Sequence, residues 1–217
     1  MTTNELRVAI LGVSGRMGRA LLSAIDETPG AALGGASASA SSRWIGNDAG
    51  APAGGATRGV AISADAASAI RGATVAIDFT LPDATAANLK ACVAAGCPMV
   101  IGTTGHDEAT QQEIEKAAQR IAVVIAPNMS LGVNLLMKLA QLAAQALDDG
   151  YDIEVFEAHH RNKKDAPSGT ALALGRSAAA GRGVCLSDVT DAARHGATGA
   201  RPIWRSEERR VGKECRS

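Results

Sequence analysis

The sequence predicts an α/β fold: a parallel sheet with helices packed on its faces, followed by a smaller second part of α+β character. Three observations carry this. Short, almost wholly apolar runs alternate with helical periodicity up to about residue 130, a glycine-spaced turn joins the first run to the first helix, and the rhythm changes after Asn128. Strands buried on both faces read as continuous apolar runs, and helices between them make βαβ units.

Taken in order, Arg7 to Gly12 (RVAILG) is a β-rich run that enters the turn Gly12-Val13-Ser14-Gly15-Arg16-Met17-Gly18. Met17, Ala20, Leu21, Ala24 and Ile25 then share one helical face, and Pro29-Gly30 ends that helix. Ala31 to Ala36 is the second strand, and Ser37 to Thr57, rich in Ala, Ser and Gly, is expected to be a long surface loop. Thr74 to Phe79 is a strand, Asp83 to Ala95 a helix closed by Gly96, and Pro98 to Gly102 a strand. An acidic-started helix from Asp107 to about Arg120 leads into a further strand, Ile121 to Ala126. Beyond it, Val133 to Leu147 is a long apolar helix, and Asp152 to Ala158 alternates as a strand with one exposed face does. The domain boundary is expected near Ser130, with a first domain over 1–130 and a second over 131–204.

Composition narrows the function. The chain has 217 residues, 46% hydrophobic and 20% charged, the balance of a globular protein. Aromatics are only 2%, so the core must be aliphatic and base-stacking surfaces are disfavoured. Lys+Arg and Asp+Glu number 22 each, so no net field draws the chain to nucleic acid or to an anionic membrane. No apolar run approaches the ~20 residues of a membrane span, and no secretory leader is expected at Met1 to Leu11. Cys92, Cys97, Cys185 and Cys215 show no CxxC spacing, as expected of reduced thiols in the cytoplasm.

Gly12, Gly15 and Gly18 form a GxxGxxG turn from strand to helix. Glycines let the backbone approach a pyrophosphate, and the helix N-terminus adds unsatisfied N–H groups and a positive dipole end. Arg16 stands ready to add charge. A tight turn with close helix–strand packing is the alternative, but the position after the first strand of a βαβ series favours a Rossmann-like dinucleotide site. Such a site usually carries an acid at the end of the second strand, for the ribose hydroxyls. Here Ala36 to Arg43 reads ASASASSR, with no acid before Asp48. That tilts toward a phosphorylated ribose, for which Ser39, Ser41 and Arg43 offer donors, and leaves the choice of nucleotide open.

The second constellation is Glu157 to Thr170, EAHHRNKKDAPSGT, which gathers two of the four His with several bases and a hydroxyl pair. Its cations suit an anionic, dicarboxylic substrate. Ser168-Gly169-Thr170 precedes Ala171, Leu172 and Leu174 and reads as a helix start able to cradle a carboxylate. Either a His or a Lys crowded by cations can supply a proton. A solvated basic loop with a helix cap is the alternative. No third ligand stands at a metal-like spacing from His159 and His160, so no metal is expected.

Together, GVSGRMGR, IDFT at Ile77 to Thr80, VIGTTG at Val100 to Gly105, APNMSLGVN at Ala126 to Asn134 and EAHHRNKKDAPSGTAL at Glu157 to Leu172 resemble the 4-hydroxy-tetrahydrodipicolinate (dihydrodipicolinate) reductases of lysine and diaminopimelate biosynthesis. The resemblance runs from about Leu6 to Arg201. It implies a two-domain, usually homotetrameric enzyme whose second domain binds substrate and oligomerises, reducing a cyclic dicarboxylate with NADH or NADPH. By that resemblance Gly12, Val13, Ser14, Gly15, Arg16 and Met17 hold the pyrophosphate. Gly102, Thr103 and Thr104 line the nicotinamide, and Ala126, Pro127, Asn128 and Met129 border the same pocket. His159 exchanges a proton, Lys163 delivers one as hydride arrives, and His160, Lys163, Ser168, Gly169 and Thr170 grip carboxylates.

Two departures are visible. Ala38 and Ser39 replace the acid-then-base pair that many relatives carry for the adenosine ribose. Residues 205–217, RSEERRVGKECRS, are charged at eight of 13 positions and resemble a translated sequencing adapter. They are expected to be a foreign tail, with the natural chain continuing past Trp204 and the second domain incomplete. A catalytically dead nucleotide-binding fragment is therefore one alternative to the reductase. Another dehydrogenase of the same fold, of the aspartate type, is the other, though nothing requires it to carry the His-His-Lys-Ser-Gly-Thr string.

Overall fold

A computed structural model describes residues 5–147, 150–159, 165–191, 196–197 and 209–211. The chain divides into two compact units, Met1–Ala126 and Pro127–Ser217.

In the first unit, strands β1 (Leu6–Leu11), β2 (Ala31–Ser37), β3 (Ile62–Ser63), β4 (Val75–Asp78), β5 (Met99–Ile101) and β6 (Val123–Ile125) form one sheet in the order β3-β2-β1-β4-β5-β6. Every pairing is parallel. The chain reverses direction across the sheet between β1 and β4, and ligands of such sheets bind at the carboxyl ends beside that reversal. The near-continuous apolar character of β1 follows from burial on both faces. Val8 and Ile10 pack with Leu22, Ile25, Ala36 and Ile62 on one side. Ala9 and Leu11 pack with Leu89, Cys92, Met99, Ile101 and Ile114 on the other.

Helices α1 (Arg16–Glu27), α2 (Ala66–Ala69), α3 (Pro82–Ala95) and α4 (Glu108–Ala118) alternate with these strands. Pro82 opens α3 and Gly96 closes it. The Asp107 carboxylate caps α4 by accepting from the Thr110 N–H at 2.8 Å. The predicted surface loop after β2 is more folded than its composition implies. Ala38 and Ala49 are buried, and Ala51–Ala53 forms one 3-10 turn. Small side chains let this backbone lie against the core, and Asp48 pins it by accepting from the N–H groups of Gly50, Arg58 and Gly59.

In the second unit, α5 (Leu131–Ala146) and α6 (Gly169–Gly181) pack along each other, and a short helix α7 (Leu186–Val189) follows. Strand β7 (Val155–Glu157) pairs antiparallel with β10 (Arg209–Val211), and β8 (Asp165–Ala166) with β9 (Gly196–Ala197). The strand expected over 152–158 is thus shorter: among the described residues the strand pairing covers Val155–Glu157. Leu131, Leu135, Leu139 and Leu142 leave a leucine stripe of α5 exposed.

Candidate active site

The glycine turn sits at the carboxyl end of β1, beside the reversal in strand order. Gly12 has φ +88°, a conformation that favours glycine. Its N–H and that of Val13 both donate to the Ser37 carbonyl at 2.9 Å, which ties the turn to the end of β2. The Gly15 N–H donates to the Gly12 carbonyl at 3.0 Å. A Cβ on Gly18 would stand 2.5 Å from Val13 Cα and closer still to the Gly12 carbonyl, so α1 packs against the turn only because residue 18 is glycine. No side chain caps α1 at Gly15, and no acid lies in its first turn. An uncapped, acid-free helix start after a glycine-spaced turn suits a pyrophosphate, so the residues present fit a dinucleotide. Val13 is buried and shapes the turn from below, whereas Arg16 and Met17 are exposed beside it.

At the end of β2, Ala38 is buried and the Ser39 and Ser41 hydroxyls lie 3.0 Å apart in solvent. The Arg43 guanidinium stacks 4.7 Å over the Trp44 ring. Asp48, the first acid after β2, is committed to its own loop. Backbone hydrogen bonds, that of Arg58 foremost, hold its carboxyl below the usual aspartate range.

The carboxyl ends of β4 and β5 hold a residue that the sequence reading passed over. Asp78 is fully buried and accepts from the Thr80 N–H at 2.8 Å, the Thr80 hydroxyl at 2.6 Å, Asn88 Nδ2 at 3.1 Å and the Thr103 hydroxyl at 3.3 Å. The Gly102 N–H donates to the Asp78 carbonyl at 2.9 Å, and a Cβ on Gly102 would meet the Phe79 ring. Thr103 is buried with its hydroxyl on Asp78, whereas Thr104 is exposed. The signal was an aspartate inside an apolar strand, in the IDFT run. Ala126 closes this unit, its N–H directed to the Ile101 carbonyl at 3.3 Å.

In the second unit, Asn128 Nδ2 donates to the Thr170 hydroxyl at 3.2 Å, and Asn128 Oδ1 accepts from the Ser130 N–H at 2.8 Å. One side chain thus links the starts of α5 and α6. Pro127 and Met129, on either side of it, are exposed. Ser168 caps α6 by accepting from the Ala171 N–H at 3.1 Å, so the helix start expected at Ser168-Gly169-Thr170 is present.

Glu157, at the end of β7, organises this unit's polar cluster. Its Oε1 accepts from the Ser168 N–H at 2.9 Å and its Oε2 lies 2.8 Å from His159 Nε2. Burial pushes the Glu157 carboxyl up, but the hydrogen bonds from Ser168 and His159 outweigh this and hold it below the usual glutamate range. A carboxylate only accepts, so the hydrogen of this bond sits on Nε2. Glu157 was part of the string singled out above but carried no role there; its spacing of two from His159 at a strand end was the available signal. His160 and Lys163 lie outside the described residues.

Among the described residues no helix is long and apolar enough to cross a membrane, and no group of three His, Cys, Asp or Glu could hold a metal ion.

Comparison with known proteins identifies the family. Family models for the N-terminus and the C-terminus of dihydrodipicolinate reductase match residues 6–129 and 132–213. A 4-hydroxy-tetrahydrodipicolinate reductase of Thiobacillus denitrificans is 56% identical over 197 residues, covering 91% of this chain and 73% of that protein. One from a Ruegeria species is 50% identical over 199 residues, covering 92% and 74%. A solved dipicolinate-bound dihydrodipicolinate reductase from Paenisporosarcina superposes with a TM-score of 0.65 at 28% identity, over 82% of this chain and 66% of that one. On this sequence and structural evidence, the chain belongs to the dihydrodipicolinate reductase family.

Proposed function

We propose that the chain is a 4-hydroxy-tetrahydrodipicolinate reductase, an NAD(P)H-dependent oxidoreductase of lysine and diaminopimelate biosynthesis. The observation that carries the site assignment is the Glu157 clamp. One well-buried carboxylate orients His159 and anchors the start of α6 within the string that characterises the family.

When bound, the reduced nicotinamide nucleotide supplies a hydride to the substrate ring. We assign its pyrophosphate to the turn Gly12 to Met17, where the uncapped start of α1, with its unsatisfied N–H groups and dipole, suits anionic charge. Gly102 to Thr104 and Ala126 to Met129 are assigned to the nicotinamide end. The substrate is a small dicarboxylate. His160, Lys163, Ser168, Gly169 and Thr170 are assigned to its carboxylates, the last three as the N-terminus of a helix. His159, held through Nε2 by Glu157, exchanges a proton at Nδ1, and Lys163 delivers one to the ring nitrogen as charge develops there. By family resemblance the protein works in the cytoplasm as a homotetramer, without nucleic acid or membrane partners.

The test is a pair of variants, His159→Ala and Lys163→Ala. Both should cut turnover at least ~100-fold while leaving nucleotide affinity within about twofold. Turnover unchanged in both would overturn the assignment.

A further inference from the structure

Burying a carboxylate is unfavourable unless it is paired or hydrogen-bonded. Asp78 is 0% exposed, and no salt bridge reaches it among the described residues. Its donors are all uncharged, and they come from three places: Thr80 on the loop after β4, Asn88 on α3, and Thr103 on the loop after β5. Asn88 also donates to the Thr80 hydroxyl at 3.3 Å, so the two loops and the helix share one network.

The network reaches the glycine turn as well. Thr80 Cγ2 would stand 3.0 Å from a Cβ on Gly12, so the loop after β4 closes the space that glycine leaves. A dinucleotide in a sheet of this order lies across the reversal between β1 and β4, with its adenosine ribose at the end of β2. Its nicotinamide half therefore falls on the side of β4 and β5, where Asp78 ties Thr80 to Thr103.

We infer that Asp78 is a positioning residue for the nicotinamide half of the cofactor, holding the loops 79–81 and 102–104 in the arrangement that half requires. This rests on the dinucleotide reading of the glycine turn. Asp78 itself, being buried, touches no cofactor; it acts through Thr80 and Thr103.

The experiment separates the two halves of the nucleotide. The unaltered chain and the Asp78→Asn variant are titrated with NADPH and NADH by fluorescence. The tighter of the two is then displaced by its adenosine half, adenosine 2′,5′-bisphosphate for NADPH or AMP for NADH. Asparagine keeps the shape, removes the charge from the acceptor that Thr80 and Thr103 share, and turns the other oxygen into a donor facing Asn88 Nδ2. Asp78→Asn should weaken the whole nucleotide about tenfold, as expected for one lost hydrogen bond to a charged group, and leave the adenosine half within about twofold. Should Asp78→Asn fail to fold by circular dichroism, Thr80→Val serves instead. It keeps the methyl facing Gly12, removes the hydroxyl bonded to Asp78, and should show the same selective loss, about three- to tenfold. Equal loss for both ligands, or no loss for either, would overturn the inference and leave the nucleotide site standing. An unaltered chain that binds neither nucleotide would overturn the dinucleotide reading and this inference with it.

Discussion

Replacing Glu157 by Gln removes an acceptor at a position where both oxygens are in use. Oε1 takes the Ser168 N–H at 2.9 Å and Oε2 the His159 ring nitrogen at 2.8 Å. Ser168 is 4% exposed, so its N–H has no water to turn to, whereas the His159 side chain is 31% exposed. The glutamine carbonyl therefore stays on Ser168, and its amide group faces Nε2 donor against donor. The ring must move its hydrogen to Nδ1 or swing away. Either way one hydrogen bond to a charged group is lost, worth ~1–2 kcal/mol after allowing for the solvent around His159. In a chain of this size that lowers Tm by roughly 2–8 °C. Turnover should fall about tenfold or more, because the proton-exchanging nitrogen is no longer held in place.

The same substitution has a defined pH dependence. The folded Glu157 carboxyl lies below its ordinary 4.5, because accepted hydrogen bonds outweigh the effect of burial. A depressed folded pKa gives stabilisation that is complete above the unfolded value and lost as pH falls through the folded one. The Tm gap between the unaltered chain and Glu157→Gln should therefore hold steady from neutrality to about pH 5 and narrow on further acidification. Melting curves by circular dichroism across that range read it out. Equal Tm values at neutrality, or a gap that ignores acidification, would refute the reasoning.

Two further outcomes follow from packing and from burial. Gly18→Ala forces α1 away from the glycine turn, costing ~1–3 kcal/mol of stability and at least ~10-fold in nucleotide affinity; unchanged affinity by titration would argue against a pyrophosphate on that turn. Burial, above all, pushes the Cys92 thiol up to about 12 and also raises Cys97, while Cys185 is exposed. Alkylation of the native protein followed by peptide mapping should label Cys185 and spare Cys92 and Cys97 until denaturant is added; labelling of Cys92 at the Cys185 rate would contradict the buried core.

The βα alternation was legible because the central strands of the first unit pack on both faces and so are mostly apolar. β1 shows this most clearly, with Val8 and Ile10 facing one core and Ala9 and Leu11 the other. The glycine turn was legible for the same reason: Gly12 and Gly18 are required by a conformation and a close approach, and both leave a mark in the sequence. β3 and α2 left none. A two-residue strand and a four-residue helix are too short for a period, and they form because β2 offers an edge and Asp65 caps the helix by accepting from the Ser68 N–H. The strand over 152–158 was overestimated because alternation reports which face is wet, whereas pairing depends on a partner, among the described residues Arg209–Val211.

The site was legible as chemistry and less so as architecture. His159 and the α6 start at Ser168 stood out through residue type and spacing, but the carboxylate joining them did not. Glu157 connects residues two and 11 positions away, and only folding shows that both meet one side chain. Asp78 is the parallel case in the first unit, where contacts ten and 25 positions away give meaning to one acid in an apolar strand.

By the proposed function, one chain binds a reduced nicotinamide nucleotide and transfers its hydride to a cyclic dicarboxylate. The most direct test is fluorescence titration of the 217-residue chain with NADPH and NADH, followed by enzymatically generated 4-hydroxy-tetrahydrodipicolinate added to the same samples. Saturable binding followed by substrate-dependent oxidation of the nucleotide is the predicted result. Binding that persists with no oxidation after substrate is added would contradict it.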